Sequence, residues 1–199
     1  LERVKVDLSR VVVVKEWPYE IKFKFATISF FPAIHSVPEA SFLIIKTGIG
    51  NIVHTGDFKL DKTPVLESPL NIDLLIEALD GPPVLCVADS TNALNYENGK
   101  SETTLIEPIE TLIKNCEGRV IFTTFASNLA RLKTIAKAGE IAGRSIVVLG
   151  RAMNNMLDKA LSSKILPELP ARVDVKKAYQ IPPENLLIIA TGSQGEPRA

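Results

Sequence analysis

The second half of the chain alternates strand-like and helix-like stretches, and this alternation constrains the fold more than any other feature. Short apolar runs with strand character occur at Arg119–Thr124, Ser145–Leu149 and Leu186–Ala190. Between them, apolar residues recur at helical spacing across Leu129–Ile141 and Arg151–Ser162. Strands that alternate with helices pair in parallel, with the helices packed on the sheet. We therefore predict an α/β domain with a mostly parallel sheet from about residue 101 onward.

Local signals predict where the helices begin and end. Ser101 is a candidate cap for an earlier helix, in which Pro108 fits only in the first turn or at a kink. The apolar positions of this helix are Leu105, Ile109, Leu112 and Ile113. Ser127 is the candidate cap of the next helix, and Gly143 stands where a helix stop belongs.

The first ninety residues carry strand signals instead. Val11–Lys15 is a β-branched run, and Glu20–Ser29 alternates apolar and charged residues as a half-buried strand does. The segment 42–55 has two apolar runs around a glycine-bearing turn, which predicts a hairpin. Val84–Ala88 is a short apolar run and is predicted to be a buried strand.

The polar stretch Asn92–Lys100 is the predicted boundary between these two regions, so the predicted domains are residues 1–98 and 99–199. The chain starts at Leu1 rather than at a methionine, and it ends at Ala199 in what is predicted to be a turn after a strand. We therefore expect a piece of a longer protein.

Composition excludes several classes of protein. The 23 basic and 23 acidic residues balance, which excludes a globally basic nucleic-acid binder but not a local basic groove. No apolar run approaches the roughly 18 residues that a membrane helix needs, so we expect no membrane partner. Cys86 and Cys116 form neither a disulfide framework nor a C-x-x-C motif, and we expect free thiols in a cytoplasmic protein.

Two strand-end residues have the chemistry of metal ligands. His35 lies between a predicted strand and a proline-bearing loop, where a ligand, a catalytic base or a histidine bonded to a backbone carbonyl would each fit. Asp57 follows Gly56 at the end of a predicted strand. Its carboxylate suits zinc or manganese, although a turn aspartate that bonds its own backbone is the alternative.

Three further polar loops follow predicted strands, at Asp89–Asn92, Thr123–Asn128 and Thr191–Glu196. Ligands of α/β proteins gather at the carboxyl ends of strands. A helix start can bind phosphate, and an exposed Phe125 could stack on a base. Each loop alone also fits an ordinary cap or turn.

Six short stretches together resemble the ribonuclease J family, a bacterial family in the β-CASP branch of the metallo-β-lactamase superfamily. They occur in the family's order and are His35–Glu39, Thr55–Asp61, Asp89–Ala93, Thr124–Asn128, Gly150-Arg151 and Thr191–Pro197. The resemblance implies part of a metallo-β-lactamase αββα sandwich, followed by an α/β β-CASP domain with a mostly parallel sheet.

The resemblance also implies roles for residues near the chemistry. His35 is implied to be the histidine ligand of the third superfamily motif, and Asp57 the carboxylate that bridges two metal ions, so both are the expected catalytic residues. Asp89 and Ser90 are implied to support the metal site. The implied cofactor is a pair of zinc ions, with manganese as the alternative.

The implied substrate is RNA, single-stranded and with a 5′-monophosphate, cut both internally and from its 5′ end. The longer parent protein is expected to form homo-oligomers. The residues implied to hold RNA are Phe125, Ser127, Asn128, Ser193, Gln194, Gly195 and Glu196.

One departure from the family pattern limits these expectations. The superfamily motif H-x-H-x-D-H is missing, and His54 is not a ligand position in the family. We therefore expect that this chain alone neither binds two zinc ions tightly nor cleaves RNA. Two alternatives stay open: a non-catalytic RNA-binding or assembly paralogue, and a hydrolase of small esters on the same scaffold, which predicts no β-CASP insert.

Overall fold

The computed structural model describes residues 7–95 and 99–192 of the chain, and these residues form two compact units. The described part of the first unit comprises residues 7–33, 41–57 and 71–91. That of the second comprises residues 34–40, 58–70, 92–95 and 99–192. The division into domains 1–98 and 99–199 stays a prediction.

The first unit is built on a five-stranded sheet in which the strands follow one another in sequence order. The first three pairings are antiparallel and the last is parallel. A helix, α1 (Ile72–Leu79), precedes the fifth strand, and a short 3-10 helix lies at Leu8–Arg10. The strands are β1 (Tyr19–Lys22), β2 (Ala26–Pro32), β3 (Ser41–Thr47), β4 (Gly50–His54) and β5 (Leu85–Val87).

The predicted hairpin over residues 42–55 is confirmed by β3 and β4, but the single strand predicted over Glu20–Ser29 is wrong. The chain reverses at residues 23–25, and the Phe23 N–H donates to the Ala26 carbonyl at 2.8 Å. Phe23 and Phe25 are 58% and 80% exposed. The alternating pattern misled the prediction because it continues through the turn.

Two other strand predictions need correction. Val11–Lys15 has no regular structure and is mostly exposed, since a β-branched run becomes a strand only where a neighbouring strand pairs with it. Leu85–Val87 does form β5, but the strand is exposed rather than buried. It lies at the edge of the sheet, and α1 contributes no buried residue.

The second unit confirms the predicted α/β class with its parallel sheet. Three strands pair in the order β6, β8, β7, and both pairings are parallel. Short 3-10 helices lie at Glu102–Leu105, Val175–Gln180 and Pro183–Asn185. The other elements are α2 (Ile106–Asn115), β6 (Val120–Thr123), α3 (Leu129–Ile141), β7 (Ser145–Leu149), α4 (Arg151–Ser162) and β8 (Leu186–Ala190).

The core of the second unit lies between this sheet and its helices. Ile113 of α2, Leu132 of α3, Leu157 of α4 and Leu187 of β8 are each at most 1% exposed. Helix α3 packs closely on the sheet because Gly139 has no side chain: a Cβ there would collide with Leu187. Apolar side chains of helices and sheet thus form one continuous core.

The predicted helix ends are confirmed in part. Ser101 caps the 3-10 helix before α2 and accepts the Thr103 N–H at 3.3 Å. Pro108 is the third residue of α2, where no intrahelical N–H is needed. Gly143, with φ of +70°, follows the end of α3 as expected. None of the described helices has the length and hydropathy that a membrane span requires.

Candidate active site

In the first unit, a buried threonine connects the ends of two neighbouring strands. The Thr55 N–H donates to the Val87 carbonyl at 3.0 Å, and the Thr55 hydroxyl accepts the Asp89 N–H at 2.9 Å. These bonds join the residue after β4 to the end of β5 and to the loop after it. Thr55 is thus the residue that positions both the Asp57 loop and the Asp89 loop, and the sequence reading missed that role.

Asp57 is exposed at this edge of the sheet. Gly56 precedes it with φ of +58°, in the left-handed region that suits glycine, and a Cβ there would lie 3.3 Å from the Ser41 carbonyl oxygen. The Gly56 N–H donates to Nδ1 of His54 at 3.1 Å. His54 therefore has a local structural role in the turn that leads to Asp57.

Asp89 and Ser90 form part of a compact turn. Oδ1 of Asp89 accepts the Thr91 N–H at 2.9 Å and the Thr91 hydroxyl at 2.6 Å, as in an Asx-turn. Ser90 is exposed. The turn role is thus present, and the predicted role in support of a metal site stays a prediction.

In the second unit, His35 is half-buried in a loop. Both ends of this loop are anchored by residues that are distant in sequence. The Lys59 N–H donates to the Ile34 carbonyl at 2.7 Å, and the Glu39 N–H donates to Oε1 of Glu67 at 2.9 Å. Nδ1 of His35 lies 3.5 Å from the Val37 nitrogen. The loop that carries the imidazole is therefore held by one backbone bond and by one bond to the Glu67 side chain.

A cavity of about 230 Å³ within the second unit brings together two residues from separate predicted motifs, His35 and Asn128. Five acidic or basic side chains also line it, namely Lys59, Asp61, Glu67, Glu102 and Arg131. The sequence analysis assigned roles only to His35 and Asn128. The other predicted site residues that the structure describes do not line this cavity.

Two carboxyl groups of the cavity have shifted pKa values. Burial raises the pKa of Glu67, and the opposing bond from the Glu39 N–H does not reverse this. Burial also acts to raise the pKa of Asp61, but the Ser101 hydroxyl, the N–H groups of Thr63 and Glu102 and the Lys59 ammonium outweigh it. The pKa of Asp61 therefore lies below its ordinary value.

The predicted RNA-binding loop at residues 125–128 leads into α3. Phe125 is 40% exposed, and its carbonyl accepts the Asn128 N–H at 3.2 Å. The prediction that Ser127 caps the helix is wrong: Oδ1 of Asn128 accepts the Arg131 N–H at 3.0 Å. Since α3 begins at Leu129, Asn128 is the residue from which a side chain reaches that N–H.

The remaining predicted RNA-binding residues, Ser193, Gln194, Gly195 and Glu196, lie outside the described residues. Over residues 7–95 and 99–192, no group of three or more His, Cys, Asp or Glu side chains could hold a metal ion. His35 and Asp57 are suitable zinc ligands by type, but these residues do not by themselves supply a complete site.

The second unit is an α/β domain with a parallel three-stranded sheet, and comparison with known proteins gives the family. Residues 117–199 match the model of the ribonuclease J β-CASP domain. This match argues against the alternative of a small-ester hydrolase, because that alternative predicted no β-CASP insert.

Complete relatives give the same result. Ribonuclease J of Sinorhizobium meliloti is 39% identical over 166 residues, which cover 83% of this chain and 29% of that protein. Ribonuclease J of Thermus thermophilus is 35% identical over 87% of this chain and 30% of that protein. The resemblance to ribonuclease J is therefore confirmed: the chain is homologous to a segment of that family and spans about 30% of these relatives' length.

A solved structure supports the fold independently. A protein of unknown function from Enterococcus faecalis V583 superposes with a TM-score of 0.60 at 19% sequence identity. The match covers 94% of this chain and 46% of that one. At this identity the likeness concerns the fold alone.

Proposed function

We propose that this chain is a segment of a metal-dependent ribonuclease that hydrolyses phosphodiester bonds of RNA. The observation that carries the proposal is the similarity to ribonuclease J proteins over 83% to 87% of the chain. The meeting of His35 and Asn128 at one cavity supports it, because the resemblance assigns one to the metal and the other to RNA.

The proposed cofactor is a pair of zinc ions, with manganese as the alternative, and His35 and Asp57 are two of the proposed ligands. When bound, such a pair supplies an activated water and polarises the scissile phosphate. The sequence lacks the H-x-H-x-D-H motif that would supply further ligands, so we propose that the isolated chain is inactive. The proposed parent protein is cytoplasmic and homo-oligomeric.

The proposed substrate is single-stranded RNA with a 5′-monophosphate, cut both internally and from its 5′ end. Phe125, Ser127 and Asn128 of the chain would contact it. The zero formal charge of the chain predicts weak RNA binding by the chain alone, because neutralisation of phosphates dominates such affinities.

Cleavage assays on the chain and on the complete protein test this proposal. Each is incubated with 5′-monophosphorylated and 5′-hydroxyl RNA, with zinc or manganese, and with or without EDTA. We expect cleavage by the complete protein that EDTA abolishes, and none by the chain. Chelator-sensitive cleavage by the chain would contradict its inactivity, whereas an inactive complete protein that binds RNA would favour the non-catalytic alternative.

A further inference from the structure

The first turn of α3 is held by an ion pair between residues that are far apart in sequence. Nη2 of Arg131 donates to Oε2 of Glu102 at 3.1 Å, and Nε of Arg131 donates to Oε1 of the same carboxylate. The Glu102 side chain is only 13% exposed. A bidentate pair of this kind fixes the orientation of both planar groups as well as their distance.

Glu102 is itself held in place by a second carboxylate. Its backbone N–H donates to Oδ2 of Asp61 at 3.2 Å, and Oδ1 of Asp61 accepts the Thr63 N–H at 2.9 Å. Asp61 is buried. The carboxylate that binds Arg131 therefore stands on a fixed backbone rather than on a free loop.

Arg131 is held at its backbone as well as at its side chain. Its N–H donates to Oδ1 of Asn128, the cap of α3, and the Asn128 N–H donates to the Phe125 carbonyl. The contacts thus run from Asp61 through Glu102 and Arg131 to the loop at residues 125–128. This loop is the one that the sequence predicts to bind RNA, and these contacts hold it.

We propose that Glu102 is a positioning residue for RNA binding, which acts by holding Arg131 and thereby the loop at residues 125–128. The proposal rests on the proposed function, which assigns Phe125, Ser127 and Asn128 to RNA. Glu102 itself does not contact the substrate in this account. Its removal should lower RNA affinity and leave the chemical step unchanged.

A direct contact between Arg131 and RNA would change RNA affinity in the opposite direction. If Arg131 bound an RNA phosphate directly, Glu102 would compete with that phosphate for the guanidinium. Neutralising Glu102 would then strengthen RNA binding, as would any loss of negative charge beside a polyanion. Positioning predicts weaker binding after the same substitution, so the direction of the change separates the two roles.

The test compares Glu102→Gln with Asp158→Asn in the complete protein. Asp158 is a matched control because it forms an ion pair with Arg172 at 2.6 Å. This is the other arginine–carboxylate pair among the described contacts of the second unit. The RNA dissociation constant is measured in EDTA, and the cleavage rate is measured at saturating RNA with metal. For Glu102→Gln we expect about tenfold weaker binding with a cleavage rate within about twofold of the parent. Asp158→Asn should change neither.

Amide hydrogen exchange over residues 125–132 provides a readout that does not depend on RNA. We expect faster exchange in Glu102→Gln and unchanged exchange in Asp158→Asn. Unchanged exchange in Glu102→Gln, or RNA binding that is unchanged or tighter, would overturn the proposal.

A separate variant tests the assignment of the loop to RNA. Phe125→Ala should weaken RNA binding. If it does not, while Glu102→Gln exchanges faster, the loop is positioned as described but is not an RNA contact, and the failure lies in the proposed function. A loop that exchanges normally in Glu102→Gln while Phe125→Ala weakens binding would instead refute the positioning role alone.

Discussion

The two units differ in how completely their helices bury apolar surface. In the second unit, α3 has seven buried residues, and five of them belong to the apolar core that packs on the parallel sheet. In the first unit, α1 contributes none, and Ile72, Leu74 and Ile76 are each at least 46% exposed. Apolar spacing predicted α3, whereas α1 was not predicted, and packing decides how much each helix stabilises its unit.

The predicted site residues of the two units are held in different ways. Asp57 and Asp89 of the first unit lie in turns that are held by short-range hydrogen bonds and by the buried Thr55. In the second unit, Asn128 is held by a chain of contacts that spans many residues of sequence. We therefore expect substitutions in the second unit to affect stability and loop geometry more.

The largest difference is expected from matched truncations of helix leucines. Leu132→Ala in α3 removes a side chain that is 1% exposed and should cost about 2–5 kcal/mol of unfolding free energy. Leu74→Ala in α1, where the leucine is 47% exposed, should cost about 1 kcal/mol or less. Urea denaturation measures both, and equal losses would refute the contrast between the units.

A buried arginine gives the next largest effect. Arg144 is 7% exposed and donates to the carbonyls of Ile113, Cys116, Gly118 and Leu186. Arg144→Met would leave these acceptors without their donor and should cost about 3 kcal/mol. Arg119→Met, at an exposed position, is the control and should stay within about 0.5 kcal/mol. A similar unfolding free energy for both variants would show that the carbonyl bonds contribute little.

Asp61 should make the stability of the second unit depend on pH. Because the pKa of Asp61 is lowered in the folded state, its contribution is present above the unfolded pKa of about 3.9 and is lost as pH falls through the folded pKa. At pH 7, Asp61→Asn should cost about 1–3 kcal/mol, and this difference should shrink in acid.

Asp80→Asn in the first unit is the control for Asp61. Asp80 is exposed with φ of +50°, a conformation that asparagine adopts readily, so its effect should stay within about 0.5 kcal/mol. Denaturation at pH 7 and at pH 3 measures both variants. If Asp61→Asn costs the same at both pH values, the claim that the ionised Asp61 carboxylate stabilises the second unit is contradicted.

The smallest stability effect should come from the helix caps, one in each unit. Oδ1 of Asn128 accepts the Arg131 N–H, and Oδ1 of Asn71 accepts the Leu74 N–H at 3.3 Å. Each Asn→Ala variant should cost about 1 kcal/mol. Only Asn128→Ala should also weaken RNA binding by the complete protein, and equal RNA affinities for the two variants would remove Asn128 from the RNA site.

Sequence periodicity predicted the second unit well because its helices have regular apolar spacing and two of its three strands, β7 and β8, are largely buried. Ser145–Leu149 and Leu186–Ala190 were predicted with the bounds that the structure shows. The turn at Phe23–Phe25 escaped prediction because exposed aromatic side chains continue the alternation of the strands on either side. Burial of β5 was wrongly predicted because an apolar run does not reveal whether another layer covers it.

The candidate site was only partly predictable for a related reason. His35, Asp57 and Asn128 belong to short motifs that can be recognised along the chain. Glu102 and Arg131 are 29 residues apart, and no local pattern links them. A polar residue three positions after a helix cap is a weak signal, so their pairing became visible only in the folded chain.

The two histidines offer the most direct test of the central claim that this chain contributes a metal ligand to a ribonuclease. In the complete protein, His35→Asn should lower RNA cleavage by about 100-fold and reduce the bound zinc or manganese. His54→Asn should keep both within about twofold, because the asparagine Oδ1 can accept the Gly56 N–H that Nδ1 of His54 accepts. Equal activity and metal content in the two variants would contradict the account.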